Sequence, residues 1–252
     1  MKPIPISIQL YTVRDLAAKD WLGVLKKIAE IGYIGVEFAG YYGKTPAELR
    51  KALDDLGLVA SSTHGPFPTK DNVKEVIETA KALGFKRHIS GFGPGDLDAP
   101  EKVLEAAKKA QEAAKLLAGS GITFGLHNHW WEFDHAFDGK TPHEIIMQKA
   151  PDVFAEVDTY WVTVGGKDPA AVVKKLGARA PLLHIKDGPC ERDKPMTAVG
   201  AGKIDWKKVI GAASPKTEWL VVELDSCATD MMQAVEASYK YLVSNGLAKG
   251  RK

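Results

Sequence analysis

The chain has 252 residues, 45% of them hydrophobic and 26% charged, enough for one full core and within the size of a single α/β barrel, so two domains are unnecessary. Its 34 Lys and Arg residues are interspersed with 32 Asp and Glu for a net charge of +2, without a long basic block, which argues against nucleic acid as the main partner. Cys190 and Cys227 stand in unrelated contexts, no run is long enough to span a membrane, and the opening Met1-Lys-Pro-Ile-Pro-Ile6 lacks a signal-peptide pattern, so a cytoplasmic protein with neither disulfides nor a membrane partner is expected.

Residues 4–10 read as a first strand, followed by a helix that Asp20 can cap, with Leu22, Leu25 and Ile28 at helical spacing and Gly32 as its stop. Residues 33–38 form a second strand with Glu37 near its tip, and Thr45-Pro-Ala-Glu48 is a capping box that opens a helix ended by Gly57. Residues 58–63 form a third strand that delivers His64 to a Gly-Pro turn, and a helix from Asp71 runs to Leu83. Residues 85–90 form a fourth strand, with a glycine-rich tip at 91–95 and a long Ala/Lys/Glu helix from Pro100 to near Gly119. The fifth strand begins near Gly121 and changes character at its end, where apolar residues give way to His127, Asn128, His129 and Glu132.

Thr141-Pro-His-Glu144 repeats the earlier cap, residues 153–159 form strand six, and Asp168-Pro169 opens a helix that stops at Gly177. Residues 182–186 form strand seven; a loop over 188–203 then leads to a short helix from Asp205-Trp206. Strand eight lies in 219–225, a last helix runs from about Thr229 to Gly246, and the tail 247–252 is expected to fray. Eight strand-then-helix units at roughly 30-residue spacing predict a (β/α)8 barrel, one domain over 1–252, in preference to an open doubly wound sheet.

Asp158, His184 and Glu223 sit at or near the ends of strands six, seven and eight, so barrel closure would gather them at one mouth. Singly, each is as readily a turn cap, a satisfied core histidine or a salt-bridge partner; together they make an O/N-rich set suited to a divalent cation. Glu132 is the natural fourth ligand, and it could equally bind substrate hydroxyls. With mostly oxygen donors and one imidazole, Mn²⁺ or Mg²⁺ is favoured, while Zn²⁺, Co²⁺ and Fe²⁺ stay open.

His64, His127 and His129 lie at strand tips where imidazoles can move protons, with His129 preferred; each could instead hold a loop by bonding backbone carbonyls. Strand alternation puts His127 and His129 on one face and Asn128 on the other. Lys186 shares the face of His184 and could steady an oxyanion, and Glu37 could bind a hydroxyl; either could be half of a rim salt bridge. Trp130, Trp131, Trp161 and Phe92 could wall the apolar face of a sugar or merely pack. Gly200-Ala-Gly-Lys203 before Asp205 has the look of a short phosphate cradle, although a flexible loop explains it equally well.

His127-Asn-His129 with Glu132-Phe133, Val157-Asp-Thr-Tyr-Trp161, His184-Ile-Lys-Asp187, Gly200-Ala-Gly-Lys-Ile-Asp-Trp206 and Val222-Glu223 resemble the xylose-isomerase-like TIM-barrel superfamily, in its sugar phosphate isomerase/epimerase branch, over nearly the whole chain. The resemblance implies a divalent metal held from strands five to eight, here by Asp158, His184 and Glu223. Strand five departs from the pattern, since Gly125 stands where epimerases of this type carry a Glu, and Glu132 is the expected substitute. The implied substrates are keto-sugars or related polyols. Glu132, His129, Glu223 and Lys186 would act on them, and Glu37, His64, His127, Asn128 and Trp161 would bind them. The expected reaction is isomerisation or epimerisation through proton abstraction beside a metal-polarised carbonyl. A lyase or dehydratase of a keto-sugar or keto-glycoside is the alternative, ahead of a sugar-binding barrel without turnover and an abasic-site endonuclease. Assembly as a homo-oligomer is compatible with all of these.

Overall fold

Short apolar runs bounded by Gly and capping residues fold as strands, and the amphipathic segments between them fold as helices that cover the outside. In the computed structural model, which describes residues 3–251, the strands are β1 (Ile4–Gln9), β2 (Gly35–Ala39), β3 (Val59–His64), β4 (Arg87–Ser90), β5 (Thr123–His127), β6 (Phe154–Asp158), β7 (Leu182–Ile185) and β8 (Trp219–Val222). Each pairs in parallel with the next, and β1 pairs with both β2 and β8, so the sheet closes. The (β/α)8 barrel read from the sequence is the observed architecture.

The helices are α1 (Arg14–Ile31), α2 (Pro46–Asp55), α3 (Val73–Leu83), α4 (Pro100–Leu116), α5 (Pro142–Lys149), α6 (Thr159–Val164), α7 (Pro169–Leu176), α8 (Trp206–Gly211) and α9 (Met231–Ser244). Thr45 and Thr141 both complete capping boxes, with Glu48 and Glu144 reaching back to the cap N–H, each cap contributing about 1 kcal/mol. α4 buries Val103 and four alanines, small enough to let the helix lie close on the sheet. Among the described residues no helix is long and apolar enough to cross a membrane.

Residues two apart on a strand share a face, and this alternation builds the barrel interior in layers. The floor holds Ile89, Phe154 and Leu182, with Trp219 packed against them. Two residues further along, Phe154 is followed by Glu156 and Leu182 by His184; two further again come Asp158 and Lys186, all buried. An apolar floor thus changes into a polar mouth within one strand length. Gly125 belongs to the floor: a Cβ there would lie 2.2 Å from the Phe154 ring, so the missing side chain is what lets Phe154 fill the bottom of the barrel.

Two expectations are corrected. The first helix starts at Arg14, not at Asp20; Asp20 breaks helical geometry at φ −149° and ψ 77° and caps the second half of α1 by accepting from Gly23 N–H at 2.9 Å. The kink rotates Leu22 to the surface and leaves Val24, Leu25 and Ile28 inside. The tail is paired, not frayed. β9 (Ala248–Lys249) joins β1 at Ile4 and Pro5, where β1 extends beyond its pairing with β8, and Arg251 donates to the carbonyls of Gly32 and Leu56. Lys252 lies outside the described residues.

Candidate active site

The C-terminal ends of β5 to β8 bring His127, Asp158, His184 and Glu223 together, with one ligand atom of each within 4.8 Å of the others. His127 Nε2 is 3.2 Å from Asp158 Oδ2, and His184 Nδ1 is 2.8 Å from Glu223 Oε2 and 3.9 Å from Asp158 Oδ2. All four side chains are buried, so their charges act across a medium that screens weakly.

Lys186 completes this arrangement. Its Nζ is 3.0 Å from Asp158 Oδ2, 2.7 Å from Glu223 Oε2 and 2.8 Å from Asp225 Oδ2. Burial alone would lower the ammonium, but the three carboxylates outweigh it and hold Lys186 well above its ordinary value. Burial would likewise raise Glu223, yet Lys186 and His184 bring it well below the usual carboxylate range. At Asp158 burial wins over the same two cations, and the carboxyl is raised.

Below this ring, Glu37, His64 and Glu156 face the other edge of the His184 ring, and their ligand atoms too converge within 4.8 Å. Gln9 Nε2 donates to Glu37 Oε1 at 2.6 Å, and Ser62 Oγ donates to Glu37 Oε2. Burial and the neighbouring Glu156 push Glu37 up to about 7. At Glu156 the cations His184 and His64 outweigh burial and hold the carboxyl well below its ordinary value. Burial opposes the charge on His184 as well, but Glu156, Glu223 and Glu37 hold that imidazole well above its usual range.

The segment after β5 supplies the rest. Asn128 bonds the backbone of Asp158 through both ends of its carboxamide, at 3.0 Å and 3.2 Å. Glu132 is buried and accepts from the His129 N–H at 2.9 Å, and burial pushes its carboxyl up to about 8. Glu132 belongs to neither converging group; the strand-five position in the upper one is held by His127. The His129 ring stacks on Trp131 at 4.1 Å, burial pulls it down to about 2, and its Nδ1 is buried without a partner. Trp130 lies 4.8 Å from Trp161, whose ring is 5.6 Å from Lys186 Nζ. Phe92 packs on Phe67 within the core and is no part of that wall.

The glycine loop proves to cradle an anion of the protein itself. Asp187 accepts from the N–H groups of Gly188, Gly200 and Ile204 and, at 2.7 Å, from the Trp206 indole. A Cβ on Gly202 would lie 2.0 Å from Asp187 Oδ1, so the glycine is needed for the loop to close on this carboxylate. The phosphate-cradle expectation is corrected accordingly.

Two carboxylates and two imidazoles converging at the mouth fit a divalent cation, and the second imidazole makes the set softer than the one expected from the sequence. The profile of the xylose isomerase-like TIM barrels matches residues 25–242. The chain belongs to that family. Among solved structures, this xylose isomerase-like barrel is similar to a sugar phosphate isomerase/epimerase from Parabacteroides distasonis, at 23% identity and TM-score 0.75, over 100% of this chain and 96% of that one. It is also similar to an L-ribulose 3-epimerase, at 15% identity and TM-score 0.73, over 97% and 94% of the two chains. The IOLI protein with a zinc atom is similar at 14% identity and TM-score 0.74, over 97% and 98%. At these identities the likeness is one of fold. No curated protein sequence matches the chain.

Sequence reasoning missed Glu156, Asp225, Gln9 and Ser62. The i, i+2 spacing that joined Lys186 to His184 also joins Glu156 to Asp158, so the strand period carried the signal for Glu156. Gln9 and Ser62 carried none, since a polar residue inside an apolar strand reads as ordinary until the barrel brings it against Glu37.

Proposed function

We propose that this barrel is a metal-dependent isomerase or epimerase of a keto-sugar or related polyol, acting by proton abstraction beside a polarised carbonyl. The observation that carries the reading is the convergence of His127, Asp158, His184 and Glu223 beside the buried ammonium of Lys186. A divalent ion held by those four residues, Zn²⁺, Co²⁺, Fe²⁺ or Mn²⁺ by donor type, would supply polarisation of the carbonyl and its neighbouring hydroxyl. Lys186, held among Asp158, Glu223 and Asp225, would steady an oxyanion with an N–H that one of those carboxylates releases. We assign the proton transfer from carbon to His129, which burial keeps neutral and whose Nδ1 is unpartnered; the same burial weakens it as a base, so the transfer depends on strong polarisation of the carbonyl. The proton's return to the adjacent carbon gives an isomer, whereas an epimer needs a second group to deliver a proton from the opposite face. Trp161 and Trp130 flank the site as a wall for the apolar side of a sugar, while Asn128 secures Asp158.

One observation favours a second reading. Glu132, buried beside His129 and raised by that burial, would serve as the acid that protonates a departing oxygen, which a lyase or dehydratase of a keto-sugar or keto-glycoside needs. Metal analysis of the purified protein, combined with solvent-deuterium incorporation into a panel of keto-sugars and keto-glycosides, tests both. Bound metal with deuterium beside a carbonyl is the expected result, and the products separate isomerisation from elimination. Bound metal with no exchange on any substrate would instead indicate a sugar-binding barrel without turnover.

A further inference from the structure

Beneath the mouth, Glu37 of β2, His64 of β3, Glu156 of β6 and His184 of β7 surround one point. His184 Nε2 is 2.8 Å from Glu37 Oε1 and 3.2 Å from Glu156 Oε2, while His64 Nε2 is 3.3 Å and 2.5 Å from the same two oxygens. The hydrogen bonds within the group leave something over: Glu156 Oε1 is buried with no partner, on a side chain with no exposure. A buried polar atom left unsatisfied costs about 1–3 kcal/mol, and more when it is charged. A second carboxyl, Glu37, is packed into the same place; His64 and His184 lie against both carboxyls and balance them when protonated, a part that a divalent ion would take over with the imidazoles neutral. The groups facing them are imidazoles, which can coordinate a metal through nitrogen as lysine and arginine do not.

We propose that Glu37, His64, Glu156 and His184 form a second divalent-cation site, distinct from the group at the mouth and sharing the His184 ring with it. His184 turns Nδ1 to Glu223 and Asp158 and Nε2 to Glu37 and Glu156, so one ring joins the two positions; with both filled it would be a bridging imidazolate, its two ring protons released to solvent as the cations bind. The movement required is small. Tetrahedral coordination at bonds of about 2.0–2.1 Å sets ligand atoms about 3.4 Å apart. The four N···O contacts run from 2.5 to 3.3 Å, so these pairs spread by less than about 1 Å, and every ligand atom already lies within 4.8 Å of the others. Two nitrogen and two oxygen donors favour Zn²⁺ or Co²⁺ over Mg²⁺. Gln9 and Ser62 orient Glu37 from behind, as outer partners of metal-binding carboxylates do. His64, with a side chain 26% exposed, is the point of entry. The inference shares His184 with the function proposed above, and its test separates the two.

Protein stripped with a chelator is reloaded with Zn²⁺ alone or Co²⁺ alone, desalted, and its bound metal counted, with the visible spectrum of the Co²⁺ form recorded alongside. Wild type is expected to hold two equivalents, Glu156→Gln and His64→Gln one, and Asp158→Asn one with a different Co²⁺ spectrum. A single equivalent in wild type, kept in Glu156→Gln and His64→Gln and lost in Asp158→Asn, overturns the second site and leaves the mouth centre standing, with Glu37 and Glu156 merely orienting His184. Metal kept in Asp158→Asn and lost in Glu156→Gln sustains the second site and overturns the mouth centre. No metal in wild type overturns both. Far-UV circular dichroism establishes the fold of each variant, and His64→Gln, at the partly exposed position, carries the test if Glu156→Gln does not fold.

Discussion

Asn128 grips the backbone of Asp158 from both sides: Oδ1 accepts from its N–H at 3.0 Å and Nδ2 donates to its carbonyl at 3.2 Å. The side chain thereby continues the β5–β6 pairing one residue past the end of β5 and fixes the backbone that carries the Asp158 carboxylate. Asp158 in turn caps α6 by accepting from Trp161 N–H at 2.8 Å. Asn128→Ala leaves two buried backbone groups unpaired, at about 1–3 kcal/mol for each. The expected outcome is a lowered urea midpoint together with Zn²⁺ affinity reduced by about tenfold or more, the scale of lost outer-shell support. An unchanged midpoint and affinity would mean that Asp158 is positioned without this clip.

How much of this was legible beforehand depends on the length of the contact. The two Thr-Pro-x-Glu caps, Gly32 and Gly177 as helix stops, and the polar tips of strands six to eight all act within a few residues, and they appear in the structure where the sequence put them. Glu132 and Gly125 show the limit. Which strand-five residue reaches the neighbours of Asp158 depends on how far β5 runs, and β5 ends on His127, which places that imidazole against Asp158. Three of the four partners of Asp187 lie 13 to 19 residues downstream, so a loop with the pattern of an anion cradle could not reveal that its anion was internal. The tail was unreadable for a similar reason: its partner strand lies at the opposite end of the chain.

Gly125 offers a test of the barrel floor. A Cβ at that position lies 2.2 Å from the Phe154 ring, which is enclosed by Ile89 and Leu182 and has little room to move. Gly125→Ala is expected to destabilise by about 1–3 kcal/mol through overpacking. Phe154→Leu, which opens space at that contact, should recover part of the loss in the double variant. Additive losses in a double-mutant cycle would show that the two side chains do not collide.

Asp187 predicts both stability and ligand behaviour. Four N–H donors converge on its carboxylate, and Asp187→Asn sets an amide NH₂ against some of them. Hydrogen bonds to a charged acceptor contribute about 1.5–3 kcal/mol, so a loss of that order or more is expected in thermal or urea unfolding. Because the loop amides are taken, inorganic phosphate should leave the fluorescence of the buried Trp206 unchanged. A saturable change on phosphate addition, absent in Gly202→Ala, would restore the loop as a phosphate site.

His143 gives the protein a defined response to acid on the outer side of the barrel. Its ring is buried against Phe133, centroids 4.7 Å apart, and burial pulls the imidazole from 6.5 to about 4, with Arg179 and Lys175 adding to the shift and Glu144 opposing it. The unfolded chain therefore binds a proton in the window between these values that the folded chain refuses. Stability from this group is full above pH 6.5, falls as pH drops through the window, and levels off below about 4. Two and a half pKa units correspond to about 3 kcal/mol at most. His143→Phe removes the titration and keeps the ring contact, so the unfolding free energy of wild type should decline relative to that variant from pH 7 to pH 4, by up to about 3 kcal/mol. Parallel stability curves for the two proteins across that range would show that the folded state accepts a proton on His143 as readily as the unfolded chain does.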